Sequence, residues 1–436
     1  MRPLPSIRRQ SRHRAGAPVT RVARAAPASG LGIVLGAAML VAGCGGTDAG
    51  GSGAAPAYVV RDEDSRIVWD QRTLRRPFDG PASYPRMIRL RDGDLLLSLE
   101  SRGASLAIRS ADGGATWSAP VTVASAHDGI IAAVPSLLQL RDGTVLLAYN
   151  TRPPHDNRDP AKRFGIRLAA SDDAGRTWRE RAIVYTAGVE SGRGVWEPSM
   201  LELPTGEVLL FVADEQPYDR DDDQEVAVLR SADAGVTWSA PRQVSWRAGH
   251  RDGMPVPLLL RDGSGIAIAI EDDGLSGDAF KPAIVWMPVD GAPVGTVGGD
   301  SALRWSALTA AQQLPAAAYG GAPFLAQFPD GETVLSFQSD AGRSGGWSRS
   351  TMMVALGDAR ARSFAGVSRP FAVPDGRHAL WGSLFVHDAD TITALTTTDA
   401  YSGSVQELYL IDGRRIAQPA AVAASEDGSR TPSGRL

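Results

Sequence analysis

The sequence contains a single cysteine, Cys44, and only six histidines in 436 residues. One cysteine excludes a disulfide within the chain, and the scattered histidines form no H-E-x-x-H motif. The acidic run "DRDDDQE" also lacks the spacing of a calcium-binding loop. We therefore predict neither a metal site nor a cofactor.

Long hydrophobic runs are also rare, and the clearest one lies near the start of the chain. Residues 1–30 carry seven arginines and no acid, and the thirteen-residue run "LGIVLGAAMLVAG" follows and ends at Cys44. This order is typical of a secretory signal and is too short for a membrane span. The ending "LVAGC" resembles a bacterial lipobox. It implies that residues 1–43 are a lipoprotein signal peptide and that Cys44 is lipidated, which would anchor an exported protein to a membrane of the cell envelope. The alternative is a chance cysteine after an ordinary signal.

Basic residues are outnumbered once this leader is removed. Residues 44–436 hold 38 Lys and Arg against 49 Asp and Glu, a net charge of −11. An acidic chain argues against nucleic acid as a partner. The segment 44–57 is rich in Gly, Ser and Ala and is predicted to be a flexible tether, and residues 421–436 lack apolar periodicity and are predicted to be a disordered tail. We expect a monomer.

The remaining chain, residues 58–420, repeats one strand–turn–strand pattern. In five copies a proline stands eight residues before a turn glycine, and the prolines lie 50 to 68 residues apart: Pro85 and Gly93, Pro135 and Gly143, Pro198 and Gly206, Pro255 and Gly263, and Pro323 and Gly331. A sixth copy, "WGSLFVHDADTITALTTTD", keeps the hydrophobic pattern without these markers. Six repeats of this length predict an all-β protein, a six-bladed β-propeller.

A second motif lies between these copies: "SADGGATW", "SDDAGRTW" and "SADAGVTW", with Asp112, Asp173 and Asp233. Its Ser, Asp, Gly and Thr predict a tight turn held by side-chain hydrogen bonds, with Trp packed beneath it. Strand direction places these turns on the same end of the blades as the Asp-Gly turns. We therefore predict a structural role for them and a functional site at the opposite, open end.

The strand ends at the open end supply carboxylates, amides, an arginine and aromatic residues, a set that suits a neutral sugar. Glu197, in "GVWEPSM", and Glu271, in "IAIAIED", adjoin long apolar runs, where burial would raise a carboxyl pKa. Two such acids from adjacent blades could flank a glycosidic bond. Alternatively, they could pair with Arg86, Arg193 or Arg251 to close the central channel.

Six residues are candidates for sugar contacts, although each could equally be a structural contact at the rim. Two tryptophans would stack on sugar rings, and four polar residues would bind hydroxyl groups: Trp196, Trp381, Arg86, Asn150, Asp252 and Gln338.

The motif S-x-D-x-G-x-T-W resembles the Asp-box of the sialidase superfamily, and "YPRMIRL" resembles the Arg-Ile-Pro segment of sialidases. A sialidase also needs a nucleophilic tyrosine near the last blade, and this chain has Trp381 there. No glutamate follows in "TITALTTTD", and the acid/base aspartate is also not evident after Arg86.

Residues 80–345 more closely resemble the exo-1,5-α-L-arabinanases of glycoside hydrolase family 93. The similar segments are "GVWEPSMLELPTGEVLLFVADE", "RSADAGVTWSAP", "RDGMPVPLLLRDG" with "IAIAIED", and "YPRMIRLRDG". This resemblance implies that Glu197 and Glu271 are the catalytic pair of a retaining enzyme, whose carboxyl groups lie about 5–5.5 Å apart. We assign Glu197 as acid/base and Glu271 as nucleophile.

Three hypotheses therefore follow from the sequence. The first is a lipid-anchored, exo-acting, retaining glycoside hydrolase that cleaves neutral oligosaccharides of the α-L-arabinan type. The second is an exo-α-sialidase, and the third is a non-catalytic, glycan-binding propeller, which the fold alone does not exclude.

Overall fold

The computed structural model describes residues 64–219, 223–277 and 279–416, together with the backbone of residues 59–60. These residues belong to one compact unit, Ser52–Leu436. The predicted signal peptide, Cys44, the tether 44–57 and the tail 421–436 lie outside the described residues, so these assignments stay predictions.

The described residues form six antiparallel sheets, which are the blades of the predicted propeller. Two strands precede the first blade: β1 (Val59–Val60) and β2 (Ile67–Arg75). Blade 1 contains β3 (Ser83–Arg89), β4 (Leu95–Ser101), β5 (Ala104–Ser110) and β6 (Val121–Ala124). Blade 2 contains β7 (Ile131–Gln139), β8 (Val145–Arg152), β9 (Gly165–Ser171) and β10 (Arg179–Thr186). Blade 3 contains β11 (Val195–Glu202), β12 (Val208–Asp214), β13 (Glu225–Ser231) and β14 (Arg242–Ser245).

The second half of the ring repeats this order. Blade 4 contains β15 (Asp252–Leu259), β16 (Ile266–Asp272), β17 (Lys281–Met287) and β18 (Arg304–Ser306). Blade 5 contains β19 (Gly320–Gln327), β20 (Thr333–Ser339), β21 (Thr351–Gly357) and β22 (Ala365–Ser368). Blade 6 contains β23 (Ala379–Val386), β24 (Thr391–Thr398) and β25 (Glu407–Arg415). Single-turn 3-10 helices span Ser191–Arg193, Ala310–Gln312 and Trp347–Arg349.

The outer strand of blade 6 comes from the start of the chain, a feature that the repeat pattern did not predict. Strand β2 pairs antiparallel with β25, and β1 continues the same sheet. Trp69 of β2 is fully buried, and its Nε1 donates to Ser368 Oγ of blade 5 at 3.0 Å. The ring is therefore closed by hydrogen bonds between its first and last strands.

The Asp-boxes connect the third and fourth strands of blades 1 to 3, as predicted. In the first box, Asp112 Oδ1 accepts from Thr116 N at 2.9 Å, and Ser110 Oγ donates to the same oxygen at 2.7 Å. Hydrogen bonds to Thr116 and Ser110 lower the pKa of Asp112 to about 2. The glycine of the second box, Gly175 (φ 83°), lies so close to Leu96 of blade 1 that a Cβ would be 2.8 Å from it. The boxes therefore fasten each turn and also fit against the neighbouring blade.

Every innermost strand contains a β-bulge at the same position. The register shifts there around one non-glycine residue of positive φ: Tyr84 (50°), Val134 (51°), Glu197 (43°), Met254 (49°), Ala322 (47°) and Trp381 (57°). A positive φ is unfavourable for residues other than glycine, and both bulges and strained backbone of this kind are often found next to functional sites. A proline follows in five blades and Gly382 in the sixth. The conserved spacing between proline and turn therefore marks the bulge that directs one side chain per blade to the axis.

Candidate active site

The six bulge residues form a ring around the axis. Tyr84, Val134, Met254 and Ala322 are buried in one apolar cluster, and Trp381 packs against it. Glu197 is the sixth member and the one charged residue of the set. A carboxyl group among apolar neighbours is costly unless it has partners or a function, so this position is the first point of interest.

A second ring is formed by the residues of the second strands that pair with the position before each bulge. These residues are Glu100, Asn150, Ala213, Glu271, Gln338 and Thr397. Three of them accept a hydrogen bond from the bulge amide of the next blade: Glu100 from Val134 N at 3.3 Å, Glu271 from Ala322 N at 2.9 Å, and Gln338 from Trp381 N at 2.8 Å. This ring therefore joins neighbouring blades, and it also places Glu271 close to the axis.

Glu197 is paired with an arginine that the sequence did not point to. Arg152 Nη2 donates to Glu197 Oε1 at 3.0 Å, and both side chains are less than one fifth exposed. Asn150 Oδ1 accepts from Arg152 Nε, and the guanidinium lies 5.0 Å from the centre of the Trp196 ring. Burial raises the pKa of Glu197, while the charge of Arg152 partly opposes that rise. Glu197 is therefore paired with a cation, and burial nevertheless favours its protonated form.

Glu271 has neutral partners instead. Its Oε2 accepts from Ala322 N and from Tyr319 Oη, the latter at 3.2 Å. Burial is the main cause that raises the pKa of Glu271 to about 7; the amide of Ala322 opposes the rise, and the negative charge of Glu197 adds to it. The charge of Glu197 therefore influences the ionisation of Glu271, as expected of two carboxyl groups that act as an acid and base pair.

Arg251 adds positive charge beside both carboxyl groups. It forms an ion pair with Glu215, a buried residue whose Oε1 also accepts from Gln224 Nε2 at 3.1 Å. The charge of Arg251 lowers the pKa of Glu197 and of Glu271, although burial outweighs it in both. Arg251 and Arg193 were two of the possible partners of the glutamates. Arg251 lies near both carboxyl groups but forms its ion pair with Glu215, and Arg193 forms an ion pair with Asp219.

An arc of aromatic rings runs along blades 4 to 6 and blade 1 beside Glu271. The arc comprises Tyr84, Trp381, Trp347, Tyr319 and Phe280, with successive centroid distances of 4.6, 6.4, 6.3 and 6.2 Å. Trp347 is 39% exposed, although a tryptophan normally packs inside a protein. The exposed indole of Trp347, next to the Tyr319 ring whose hydroxyl group donates to Glu271, offers a flat apolar surface for a sugar ring.

The two tryptophans predicted to stack on sugar rings, Trp381 and Trp196, occupy different positions. Trp381 is a bulge residue and stacks on Tyr84 at the axis. Trp196 comes one residue before a bulge, and its ring packs between Arg152 and Phe164, 4.9 Å from the latter. This packing does not favour the predicted sugar stacking by Trp196, because both of its ring contacts are already made within the protein.

Three of the predicted hydroxyl-binding residues are buried and used internally. Asn150 Nδ2 donates to the carbonyl oxygens of Gly165 and Val195, both at 2.9 Å, and Gln338 joins Trp381 N to Tyr319 Oη. Asp252 forms a buried ion pair with Arg304. These residues orient the site, and their observed contacts run against direct binding of a sugar hydroxyl group.

Arg86, the fourth residue predicted to bind a hydroxyl group, is also held by contacts within the protein. It follows the bulge by two residues, and its Nη1 donates to Pro85 O at 2.8 Å, with Trp381 O at 3.4 Å. Its guanidinium lies 5.2 Å from the centre of the Phe324 ring, and burial lowers its pKa to about 10. The guanidinium of Arg86 is thus engaged by backbone carbonyl groups at two bulges and by Phe324, contacts that do not favour the binding of a sugar carboxylate.

Sequence reasoning missed Arg152, Tyr319 as a partner of Glu271, and Trp347. Arg152 ends strand β8, and its alignment with Glu197 depends on the bulge in the next blade. Trp347 belongs to the loop segment "GGWSRS", where no periodicity indicates direction. An isolated tryptophan among small and polar loop residues was the one available signal.

A cavity of about 330 Å³ lies away from the axis, between blades 1 and 2, and its lining includes Tyr149, Arg167 and Glu180. Arg167 and Glu180 are paired there at 3.2 Å, with the Glu180 side chain 58% exposed. The lining of this cavity contains one acidic residue, Glu180, so the axis is the better candidate for a catalytic site that needs two carboxyl groups. Within the described ranges there is no group of His, Cys, Asp or Glu residues that could hold a metal ion.

Comparison with known proteins agrees with the architecture. The profile of the BNR repeat-like domain matches residues 31–189 and 157–264, more than half of the chain. The chain therefore belongs to the BNR repeat family. No curated protein matches it in sequence.

Solved structures of similar shape include carbohydrate-active enzymes. The family 93 α-L-arabinofuranosidase of Fusarium graminearum, in complex with arabinobiose, is 20% identical, with 78% of this chain and 97% of that one covered and a TM-score of 0.59. The α-L-arabinanase of Penicillium chrysogenum, also with arabinobiose, is 19% identical, with coverages of 78% and 96% and a TM-score of 0.57. The NanB sialidase of Streptococcus pneumoniae is 13% identical, with coverages of 77% and 68% and a TM-score of 0.53. At these identities the likeness shows the fold.

In the part of the chain that the structure describes, no helix has the length and apolar character needed to cross a membrane.

Proposed function

We propose that this protein is an exo-acting, retaining glycoside hydrolase that cleaves neutral oligosaccharides of the α-L-arabinan type. The observation that carries the proposal is the convergence of Glu197 and Glu271 at the axis, where burial raises the pKa of both carboxyl groups and the charge of Glu197 raises the pKa of Glu271 further. The similarity in shape to an α-L-arabinofuranosidase and an α-L-arabinanase, each in complex with arabinobiose, supports the sugar class.

In the proposed first step, Glu271 Oε1 attacks the anomeric carbon while Glu197 gives its proton to the departing oxygen. The glycosidic bond breaks, and an ester joins the sugar to Glu271. In the second step, Glu197 takes a proton from water, the water oxygen attacks the anomeric carbon, and the ester bond breaks. Arg152 would stabilise the carboxylate that Glu197 becomes between the two steps.

One observation favours the opposite order of roles. Arg152 stabilises the ionised form of Glu197 in the free protein, whereas Glu271 has only neutral hydrogen-bond donors and a pKa of about 7. In that order Glu197 would be the nucleophile and Glu271 the acid. Trapping with a slow fluorinated glycoside, followed by peptide mass spectrometry, identifies which glutamate carries the sugar.

The arrangement supports a sialidase less well. Sialic acid carries a carboxylate that sialidases bind with arginines, and Arg86, the arginine of the segment that resembles the Arg-Ile-Pro segment of sialidases, donates to the backbone carbonyl groups of Pro85 and Trp381. A neutral sugar agrees better with the exposed Trp347 and with the acidic net charge of residues 44–436.

The experiment uses residues 58–436 with linear α-1,5-arabinan, reduced arabino-oligosaccharides and sialyl-lactose, and resolves the products by chromatography. We expect a short arabinoside to be released from one chain end, and Glu197→Gln and Glu271→Gln each to lower kcat by at least about 1000-fold. The matched control is Glu225→Gln, which neutralises a buried glutamate of blade 3 that hydrogen bonds with Tyr218.

Full activity in both axial variants would contradict the proposal. Binding of arabino-oligosaccharides without turnover would instead support a glycan-binding propeller.

We further propose that the protein is exported and anchored to a cell-envelope membrane through lipidated Cys44. The support is the order of basic segment, apolar run and "LVAGC" in the sequence. An anchor of this kind would keep the hydrolase at the cell surface or in the periplasm, where polysaccharide fragments arrive.

A further inference from the structure

Glu271 occupies a space that two glycines leave open. Gly253 precedes the bulge of blade 4, and a Cβ there would lie 2.9 Å from Glu271 Oε1. Gly321 precedes the bulge of blade 5, and a Cβ there would overlap both Glu271 Oε2 and Tyr319 Oη. The other four blades carry side chains at this position: Ser83, Ala133, Trp196 and Leu380. The two glycines therefore occur on both sides of this carboxyl group and not at the other blades.

The two oxygens of Glu271 have different surroundings. Oε2 accepts from both Ala322 N and Tyr319 Oη, while no described residue donates a hydrogen bond to Oε1. Glu100, the matching residue of blade 1, also accepts from a bulge amide, but Ser83 lies beside it where Glu271 has glycine and tyrosine. The hydrogen bond from a bulge amide to the glutamate of the preceding blade therefore forms without a neighbouring tyrosine.

Tyr319 is itself held in place from three directions. Its backbone N–H donates to Asp340 Oδ1 at 2.8 Å, its hydroxyl group is 3.4 Å from Gln338 Nε2, and Phe280 meets its ring edge-on at 6.2 Å. A phenol fixed in this way costs little further entropy when it orients a carboxylate.

We propose that Tyr319 is the positioning residue of Glu271. Its hydroxyl group holds Oε2, directs Oε1 towards the axis and stabilises the carboxylate form, and the two glycines provide the space for this geometry. The inference rests on the proposed function of Glu271 and adds a residue that sets its orientation and its ionisation.

The test is Tyr319→Phe in the otherwise intact soluble chain, measured as the pH dependence of kcat and kcat/KM. The loss of one donor to a charged acceptor should lower kcat by about 10- to 100-fold while KM changes little. The variant should also move the limb of the pH profile that reports the ionisation of Glu271 to higher pH, because the Tyr319 hydroxyl group that stabilises the carboxylate is absent. A shift of the acidic limb identifies Glu271 as the nucleophile, and a shift of the basic limb identifies it as the acid.

The control is Tyr218→Phe, which removes the hydrogen bond from a tyrosine to Glu225 in blade 3 and should leave the profile unchanged. An unchanged profile and kcat in Tyr319→Phe would overturn the proposal. Gly321→Ala provides a second route, since it crowds the same two groups without removing either; full activity in that variant would also count against the proposal.

A readout without substrate separates this inference from the proposed function. The Glu271 carboxyl resonance, labelled with 13C and assigned by its absence in Glu271→Gln, can be titrated in both proteins. A titration at higher pH in Tyr319→Phe supports the positioning role even if no tested sugar is hydrolysed, and identical titrations overturn it.

Discussion

The ion pair between Arg152 and Glu197 yields the most quantitative prediction. The two groups lie 3.0 Å apart, with side-chain exposures of 12% and 18%. Replacing Arg152 with methionine keeps much of the apolar length of the side chain over Trp196 but removes the charge. Glu197 then faces its apolar neighbours without its cation, and Glu100, whose pKa Arg152 also lowers, is affected in the same direction.

The sign of the pH dependence follows from the direction of the pKa shift. Burial already raises the pKa of Glu197 in the folded protein, so the folded state holds this proton more tightly than the unfolded chain does. The stability that comes from this proton is fully present below the unfolded-state pKa and is lost as the pH rises through the folded-state pKa. Arg152→Met raises the folded-state pKa further, so its cost grows as the pH rises.

Two limits apply to the loss of folding free energy in Arg152→Met. Removal of one partner from a buried ion pair costs about 3–5 kcal/mol. Protonation relieves that cost by about 1.4 kcal/mol per pH unit, so the cost cannot change by more than about 4 kcal/mol between pH 5 and pH 8. At about 2 °C or less per kcal/mol for a domain of this size, Tm should fall by several degrees more at pH 8 than at pH 5.

The assay is thermal unfolding of the native chain and of Arg152→Met at pH 5, 6, 7 and 8. A matched control is Arg193→Met, which breaks an exposed pair with Asp219 on the same face and should show little pH trend. The double variant Arg152→Met with Glu197→Gln should lose most of the pH trend. A Tm difference that stays constant from pH 5 to pH 8 would refute the electrostatic account of this pair.

Two further predictions concern the aromatic arc and the N-terminal anchor. Trp347→Ala should raise KM for arabino-oligosaccharides by about tenfold while the melting temperature hardly changes, because an exposed ring of the arc is removed and the core is untouched. The control is Val236→Ala, which truncates another exposed apolar residue in an Asp-box, and an unchanged KM in Trp347→Ala would exclude Trp347 as a sugar-binding surface. Cys44→Ser in the full chain should move the protein from the membrane fraction to the soluble fraction; retention in the membrane fraction, measured by immunoblotting, would contradict lipidation at that residue.

The repeat pattern predicted the architecture because each proline and turn glycine occupies a backbone position with a strict requirement. The glycines of the turns, such as Gly93 (φ 95°) and Gly143 (φ 100°), adopt the positive φ that favours glycine. The prolines follow bulges, where a missing N–H interrupts no ladder. Because these demands recur in five blades and the sixth copy keeps the hydrophobic pattern, the sequence alone was enough to count the blades.

Individual side chains of the site were harder to predict, since the bulge changes which of two neighbours faces the axis. Trp196 and Trp381 look equivalent in the sequence, but Trp381 is the bulge residue and Trp196 precedes one. A shift of one residue along a strand turns the side chain to the other face of the sheet. Asp252, two residues before the bulge residue Met254, pairs with Arg304 in the interior, whereas Met254 belongs to the apolar cluster at the axis.

The closure of blade 6 has a consequence for how this chain folds. Strand β2 is synthesised first, yet its partner β25 comes from the other end of the propeller; Arg75 and Asp412, which join the two strands by hydrogen bonds, are 337 residues apart. A pairing over such a distance raises the contact order, and its loop-closure entropy is repaid only when the whole ring has formed. We expect β2 to be the last strand to dock, so that closure of the ring, and not formation of any single blade, sets the time at which the acids of the axis come together.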